Sequence, residues 1–478
     1  MRDAPPSAFG FDVAVIGAGS AGLSFAYVAA RMGCRVALIE RARMGGDCLN
    51  AGCVPSKALL AAAHIARSAR LAGRLGILVS PPRTDWAAVR AHVRAAIATI
   101  APNDSEERYR ALGATVLRGH ARFTGFYTLD VDGAEVTARR FVVATGSRPA
   151  IPALPGLETL PYLTNETQFE LTEAPTHLVI LGGGAIGLEM AQAHAGLGCR
   201  VTIVTRGRLA GRDDPELVDG LRACLVAEGV EIIENATVVR AEPGPALVLG
   251  DGRIIEGSHL LVAVGRTPTL SGLGLEAAGV AVTKLGVAVD AGLRSVSARH
   301  VYAAGDVADV AGVGPRQFTH VGSYHAGILV RRILFRLPAR IDYAALPRVI
   351  YTAPELAQVG MTEAEARTAG ESVRVLRWPL AENDRAIAEA DTAGLVKLVV
   401  GRGDRVLGAG ILAPHAGEMI GLWGLAIGRK VPGSAIAGMI LPYPTRAEAG
   451  KRALGTLFTE RLFSARTKWL VRLLARLR

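Results

Sequence analysis

One pattern of apolar and polar positions occurs twice in this chain. Residues 12 to 40, DVAVIGAGSAGLSFAYVAARMGCRVALIE, and residues 177 to 205, HLVILGGGAIGLEMAQAHAGLGCRVTIVT, align without a gap and share ten identical positions. Each copy opens on a continuous apolar run, turns through G-x-G-x-x-G, runs on at helical spacing to Gly33 or Gly198, and closes on a second apolar run. Continuous short runs predict strands buried on both faces, and the stretch between them predicts a helix packed on those strands. Two further helices are predicted. WAAVRAHVRAAIATI (86 to 100) is amphipathic and expected to pack as core within the domain of the first repeat. Toward the C-terminal end, Leu462, Phe463, Trp469, Leu470, Leu473, Leu474 and Leu477 are expected on one helical face, with Arg466, Lys468, Arg472 and Arg476 on the other.

The glycines give the repeat its chemistry. Gly17 and Gly182 permit a tight turn, Gly19 and Gly184 let backbone approach a pyrophosphate, and Gly22 and Gly187 let helix pack on strand. The helix N-terminus then faces the phosphates. At the end of the first unit Glu40 is a carboxylate suited to ribose hydroxyls, which predicts FAD or NAD there. The second unit has Thr205 instead, followed by Arg206, Arg208 and Arg212. A missing carboxylate with added guanidiniums suits a 2′-phosphate and predicts NADPH over NADH, the alternative being a solvated Arg-rich loop.

Composition narrows the class. A chain of 478 residues is long enough for about three domains. Five cysteines are too few for a disulfide framework, and the N-terminal segment has no apolar signal core, so a cytoplasmic protein is expected. The longest apolar stretch, near 431 to 445, is broken by Pro432, Pro442 and Pro444, so no membrane span is expected. The net charge of +11 is spread along the chain and only 5% of residues are aromatic, which argues against nucleic acid as a partner. Six of the 54 basic residues are lysines, and Lys57 is the only one before Lys284.

Lys57 ends the segment GGDCLNAGCVPSK, in which Cys48 and Cys53 lie five positions apart. A metal site needs more ligands than this stretch offers, and none is predicted. Residues five apart in a regular helix have Cα atoms roughly 8.5 Å apart, beyond disulfide range, so pairing requires a distorted helix start, which Gly52 eases. Cys34, Cys199 and Cys224 fall within strand and helix patterns and are expected to be small core residues; His64 is expected on a helix face.

GGDCLNAGCVPSK after GAGSAG and Glu40 resembles the class I pyridine nucleotide-disulfide oxidoreductases, such as dihydrolipoamide dehydrogenase, glutathione reductase and mercuric reductase. ATGSRP (144 to 149), GGGAIGLE (182 to 189), VGRTP (264 to 268), AAGDVAD (303 to 309) and YTAPELAQVGMTE (351 to 363) follow in that family's order. The resemblance implies an α/β fold with two Rossmann-type domains and an α+β dimerisation domain. The expected limits are 1 to 150 with 271 to 345 for FAD, 151 to 270 for NAD(P), 346 to 455 for the dimer interface, and 456 to 478 for a basic tail. It implies FAD contacts from Ala121, Thr145, Gly146, Asp306 and Thr319, a cofactor contact from Gly265, and Lys57 at the flavin paired with Glu189. Cys53 would be the charge-transfer thiol and Cys48 the interchange thiol, with the acceptor a small disulfide or other thiol-reactive molecule.

The C-terminal motif departs from the family pattern. In LPYPTRAEAGK, Pro444 and Glu448 match, but Tyr443 stands where a proton-exchanging histidine is expected from the second subunit of a homodimer. An unperturbed tyrosine, with a pKa of about 10, is a poor base near neutrality. The tyrosine is reminiscent of mercuric reductases, although no cysteine follows Cys224. The rival expectations are therefore Hg(II) reduction, quinone reduction at the flavin, and a non-catalytic redox sensor docking through its tail. The basic tail, 456 to 478, is expected to meet an anionic membrane surface, peripheral at the inner membrane, or to dock a protein partner, the alternative being that it packs on the enzyme's own body.

Overall fold

The computed structural model describes residues 8–477. The first repeat forms a five-stranded parallel sheet in the order Val301–Ala303, Phe141–Val143, Val13–Ile16, Val36–Glu40, Thr115–Arg118. Val13–Ile16 and Val36–Glu40 are buried at every position, as strands covered on both faces must be. The second repeat builds a four-stranded parallel sheet, Val230–Ile233, Arg200–Val204, His177–Leu181, His259–Val262. One strand of the first sheet comes from beyond the entire second sheet, so the second unit is inserted into the first. The chain crosses between them twice, and the crossing segments Ser147–Pro149 and Arg266–Pro268 pair antiparallel.

A five-stranded antiparallel sheet follows, in the order Pro347–Ile350, Glu355–Gly360, Val406–Ala413, Leu395–Val400, Arg374–Pro379. Helices Ala416–Gly428 and Glu448–Leu462 pack on it, with Trp423 and Leu454 in the shared core. This is the expected α+β architecture.

Two predicted elements differ in detail. The helix Trp86–Ile100 forms with the predicted limits, but Val93 is its only buried residue. Its Trp86, Val89, Ala96 and Ile97 lean on the cluster around helix Ala185–Gly196, so it covers the inserted unit rather than the core of the first. At the other end, the continuous amphipathic helix is split. Helix Glu448–Leu462 stops, Ser464 caps a new helix, and Ala465–Leu474 begins afresh. Arg466, three and four positions before Trp469 and Leu470 in this helix, falls on their apolar face by helical spacing alone rather than opposite it. Among the described residues no helix is long and apolar enough to cross a membrane.

Candidate active site

The strand order of the first sheet reverses between Val13–Ile16 and Phe141–Val143, and a crevice forms beyond the carboxyl ends of strands at such a point. A cavity of about 1300 Å³ opens there, lined by Ile16, Gly17, Gly19, Ala144, Thr145 and Gly146. Gly17 has φ +107°, and a side chain there would strike the Ala144 carbonyl. A Cβ on Gly22 would strike the Gly17 carbonyl, so helix Ser20–Arg31 sits against the turn with no room to spare. The second turn repeats this: Gly182 has φ +124°, Gly187 meets the Gly182 carbonyl, and Gly184 faces open space.

Glu40 lines the cavity with its carboxylate already oriented. Its Oε2 accepts from the Ala18 amide and its Oε1 from the Ala42 amide, both at 2.7 Å. Ala121 and Asp306 line the same cavity. Burial holds the Asp306 carboxyl above the usual carboxylate range, against the opposing pull of the Ser147 hydroxyl, which donates to it at 2.6 Å, and of Arg266. A buried acceptor of this kind, a Cβ-free turn and a helix N-terminus on the same void together fit a dinucleotide with polyol and pyrophosphate groups.

The two cysteines meet on the cavity wall. Helix Gly46–Asn50 carries Cys48, Gly52 breaks the chain at φ −125° and ψ −111°, and helix Cys53–Leu71 starts in a new direction. A Cβ on Gly52 would lie 3.0 Å from the Asp47 carbonyl and 3.3 Å from the Cys48 Cα, so the turn is closed tightly enough to bring the thiols together. Both cysteines are present as thiols. Cys53 is depressed to about 6, first by the hydrogen bond it accepts from Cys48, then by the Thr319 hydroxyl and the charge of Lys57, against the opposing effect of burial. Its Sγ lies 3.1 Å from the Thr319 Oγ1, and Thr319 is the first residue of helix Thr319–Leu329. Cys48 is pushed up by that same hydrogen bond and by burial. The hydrogen bond between them thus favours the proton on Cys48 and the negative charge on Cys53.

Lys57 and Glu189 come together from 132 residues apart, Nζ to Oε2 at 2.7 Å. Glu189 is 5% exposed, and its second oxygen accepts from the Tyr351 amide at 3.0 Å. The Tyr351 ring lies 4.5 Å from Lys57 Nζ, so the ammonium is held between a carboxylate and an aromatic face.

Asp47 does not cap the cysteine helix. Its carboxylate accepts from Asn165 at 3.0 Å and pairs with Arg266 at 3.2 Å. Arg266 also donates to the Ser147 hydroxyl at 2.6 Å and carbonyl at 2.9 Å. One guanidinium therefore ties both crossing segments to the cysteine turn. Arg266, Ser147 and Tyr351 were not singled out from sequence, although each lies inside a quoted motif, Arg266 directly after Gly265.

Several expected residues lie elsewhere. Gly182, Gly184, Gly187 and Gly265 are outside the large cavity, as are Arg206 and Arg212, both exposed around the end of the second unit. Tyr443 is 68% exposed and donates to Asp384 Oδ2 at 3.1 Å, while Arg452 reaches both Asp384 and Glu448. Within one protomer Tyr443 and Glu448 do not line the cysteine cavity.

The model of the family described as pyridine nucleotide-disulphide oxidoreductase matches residues 11–360, and its dimerisation domain matches residues 346–454. The chain belongs to this family. It is 37% identical to a mercuric reductase of Streptomyces lividans, over 94% of this chain and 97% of that one. It is 34% identical to a dihydrolipoyl dehydrogenase of Geobacillus stearothermophilus, over 92% and 96%. Among solved structures it resembles the HOCl-induced flavoprotein disulfide reductase RclA of Escherichia coli in its Cu(II) complex, with TM-score 0.83 and 29% identity over 94% of this chain and 99% of that one. As a member of the family the protein is an FAD-dependent NAD(P)H oxidoreductase with a disulfide redox centre, and its dimerisation domain supports a homodimer.

Proposed function

We propose that this reductase takes electrons from NADPH and delivers them through Cys53 and Cys48 to a small disulfide or other thiol-reactive acceptor in the cytoplasm. The carrying observation is Cys53: a thiol depressed to about 6, in contact with Thr319 and Cys48 on the wall of the dinucleotide cavity. Gly17, Gly19, Gly22, Glu40, Ala121, Thr145, Gly146, Asp306 and Thr319 would hold FAD, which would supply two-electron exchange between nicotinamide and the cysteine pair. Lys57, fixed by Glu189, keeps a positive charge where negative charge develops. The reduced pair then acts by thiol–disulfide exchange. Cys48 loses its proton and attacks one acceptor sulfur, forming a mixed disulfide and releasing the first thiolate. Cys53 attacks Cys48, restoring the Cys48–Cys53 bond and releasing the second. Because Cys48 is held protonated, this step needs a base, a role we assign to Glu448 with Tyr443, contributed by the second protomer.

The nucleotide preference is supported by Thr205, buried where a ribose carboxylate would stand, and by the surrounding arginines. Arg208 is engaged by Asp219 at 2.7 Å, whereas Arg206 and Arg212 form no ion pair among the described residues and remain for a 2′-phosphate. Gly182, Gly184, Gly187 and Gly265 complete this site. The domain limits proposed are 1 to 150 with 271 to 345, 151 to 270, and 346 to 455.

Steady-state NADPH oxidation with a small disulfide, Hg(II) and a quinone as acceptors tests the reading. Disulfide turnover abolished in both Cys48→Ser and Cys53→Ser is expected. Turnover of every acceptor unaffected by Cys53→Ser sinks the thiol route and leaves flavin-level reduction. Turnover confined to Hg(II) assigns the chemistry of the mercuric reductase relatives.

A further inference from the structure

The last helix, Ala465–Leu474, has no buried residue. Trp469 is 66% exposed, and Leu470, Leu473, Leu474 and Leu477 are exposed beside it. Its side chains form no ion pair among the described residues, and its hydrogen bonds run only to its own cap and to Arg461. The enzyme's own body therefore does not cover this face. A second copy is a poor cover: the dimerisation domain match ends at residue 454, and an identical helix would bring its own cations against these.

The charge is one-sided. No acidic residue follows Glu460, while Arg461, Arg466, Lys468, Arg472 and Arg476 are all basic. Lys468 and Arg472, one turn apart in the helix, lie on the side away from Leu470 and Leu474. Arg466, inside that sector near the helix start, has a long apolar stem that lets its guanidinium rise to a polar boundary. A broad apolar face bearing a tryptophan and edged by cations matches the boundary between acyl chains and anionic headgroups.

We propose that helix Ala465–Leu474 docks on the surface of an anionic lipid bilayer, its Trp469/Leu473 face in the acyl boundary and its basic face against acidic headgroups. This tethers the reductase at a membrane surface, and it holds whichever acceptor the cysteines serve.

Co-sedimentation of the FAD-loaded dimer with phosphatidylcholine vesicles, with and without phosphatidylglycerol, tests the proposal. Binding only to vesicles containing phosphatidylglycerol is expected, and it is expected to weaken as salt rises. Lys468→Glu with Arg472→Glu should lower partitioning by at least about tenfold, and Trp469→Ser with Leu473→Ser should abolish it. Both variants should keep wild-type NADPH oxidation and dimer size, which excludes misfolding. No vesicle binding, equal binding to neutral vesicles, or binding indifferent to both pairs of substitutions overturns the proposal. Lipid-free assembly beyond the dimer that Trp469→Ser with Leu473→Ser dissolves overturns it in favour of a second copy.

Discussion

At the scale of single residues, the cysteine pair is asymmetric before any acceptor arrives. The Cys48 hydrogen bond does most to depress Cys53, with the Thr319 hydroxyl and the Lys57 charge adding to it. Titrating the thiolate ultraviolet absorbance of the two-electron-reduced enzyme should therefore show Cys53 ionised above about pH 6 and protonated as the pH falls through that value. The two thiols interact strongly, so the observed value belongs to the pair. Cys48→Ala should raise it more than Lys57→Met does, because it removes the larger of the two contributions. The reverse order would mean that the ammonium, not the neighbouring thiol, sets the charge. Lys57→Met should still lower kcat by about 10²-fold, the usual loss when a preorganised charge is removed from a reacting centre.

At the scale of elements, the glycine turns show what a linear pattern can carry. Gly22→Ala places a methyl on the Gly17 carbonyl, which neither helix nor strand can yield without opening the FAD crevice. The expected result is purification with little flavin and a loss of about 1–3 kcal/mol in denaturant unfolding. Full flavin content with unchanged stability would refute the packing role. Strands, helices and both turns were legible because each is specified within some thirty residues by local period and by glycine. The Lys57–Glu189 pair was legible for a different reason: each partner sits in a recognisable motif, although 132 residues separate them. Contacts between segments that share no period were not legible. Arg266 on Asp47 and Tyr351 under Lys57 depend on tertiary placement, and nothing in the flanking residues announces them; the break at Ser464 is a local cap, with Ser464 accepting from the Thr467 amide, and its signal was the serine itself.

The whole molecule adds two connections. Between the inserted unit and the C-terminal sheet, Lys397 is buried to 4% exposure and paired with Asp214 at 2.8 Å, Glu216 at 2.9 Å and Glu363 at 3.1 Å. Burial alone lowers its pKa, but the three carboxylates outweigh that and raise it above the usual 10.5. Its contribution is thus complete below the unfolded value and fades only as pH rises through the folded one. Lys397→Met leaves the buried Asp214 without its cation, while Glu216 keeps Arg377 and Glu363 keeps Arg367, and thermal or denaturant unfolding at neutral pH should lose about 3–5 kcal/mol. An unchanged midpoint would mean that Arg377, which also holds Glu216, compensates.

The second connection is between protomers, and it decides whether the site is whole in one chain. Tyr443 and Glu448 stand outside the cysteine cavity of their own protomer, so the assigned base must reach Cys48 across a two-fold axis. In such an isologous dimer each subunit gives the cysteines to one site and the C-terminal motif to the other. Cys48→Ser and Glu448→Ala should each be nearly inactive toward a disulfide as homodimers. Subunits of the two kinds, mixed and allowed to exchange, form heterodimers in which one site carries both lesions and the other carries neither. Random pairing should then restore about a quarter of wild-type disulfide turnover, since half the dimers regain one of their two sites. Recovery at that level requires the shared site. No recovery, with heterodimers demonstrated by differential tagging, would confine catalysis to a single chain and leave Glu448 without the assigned role.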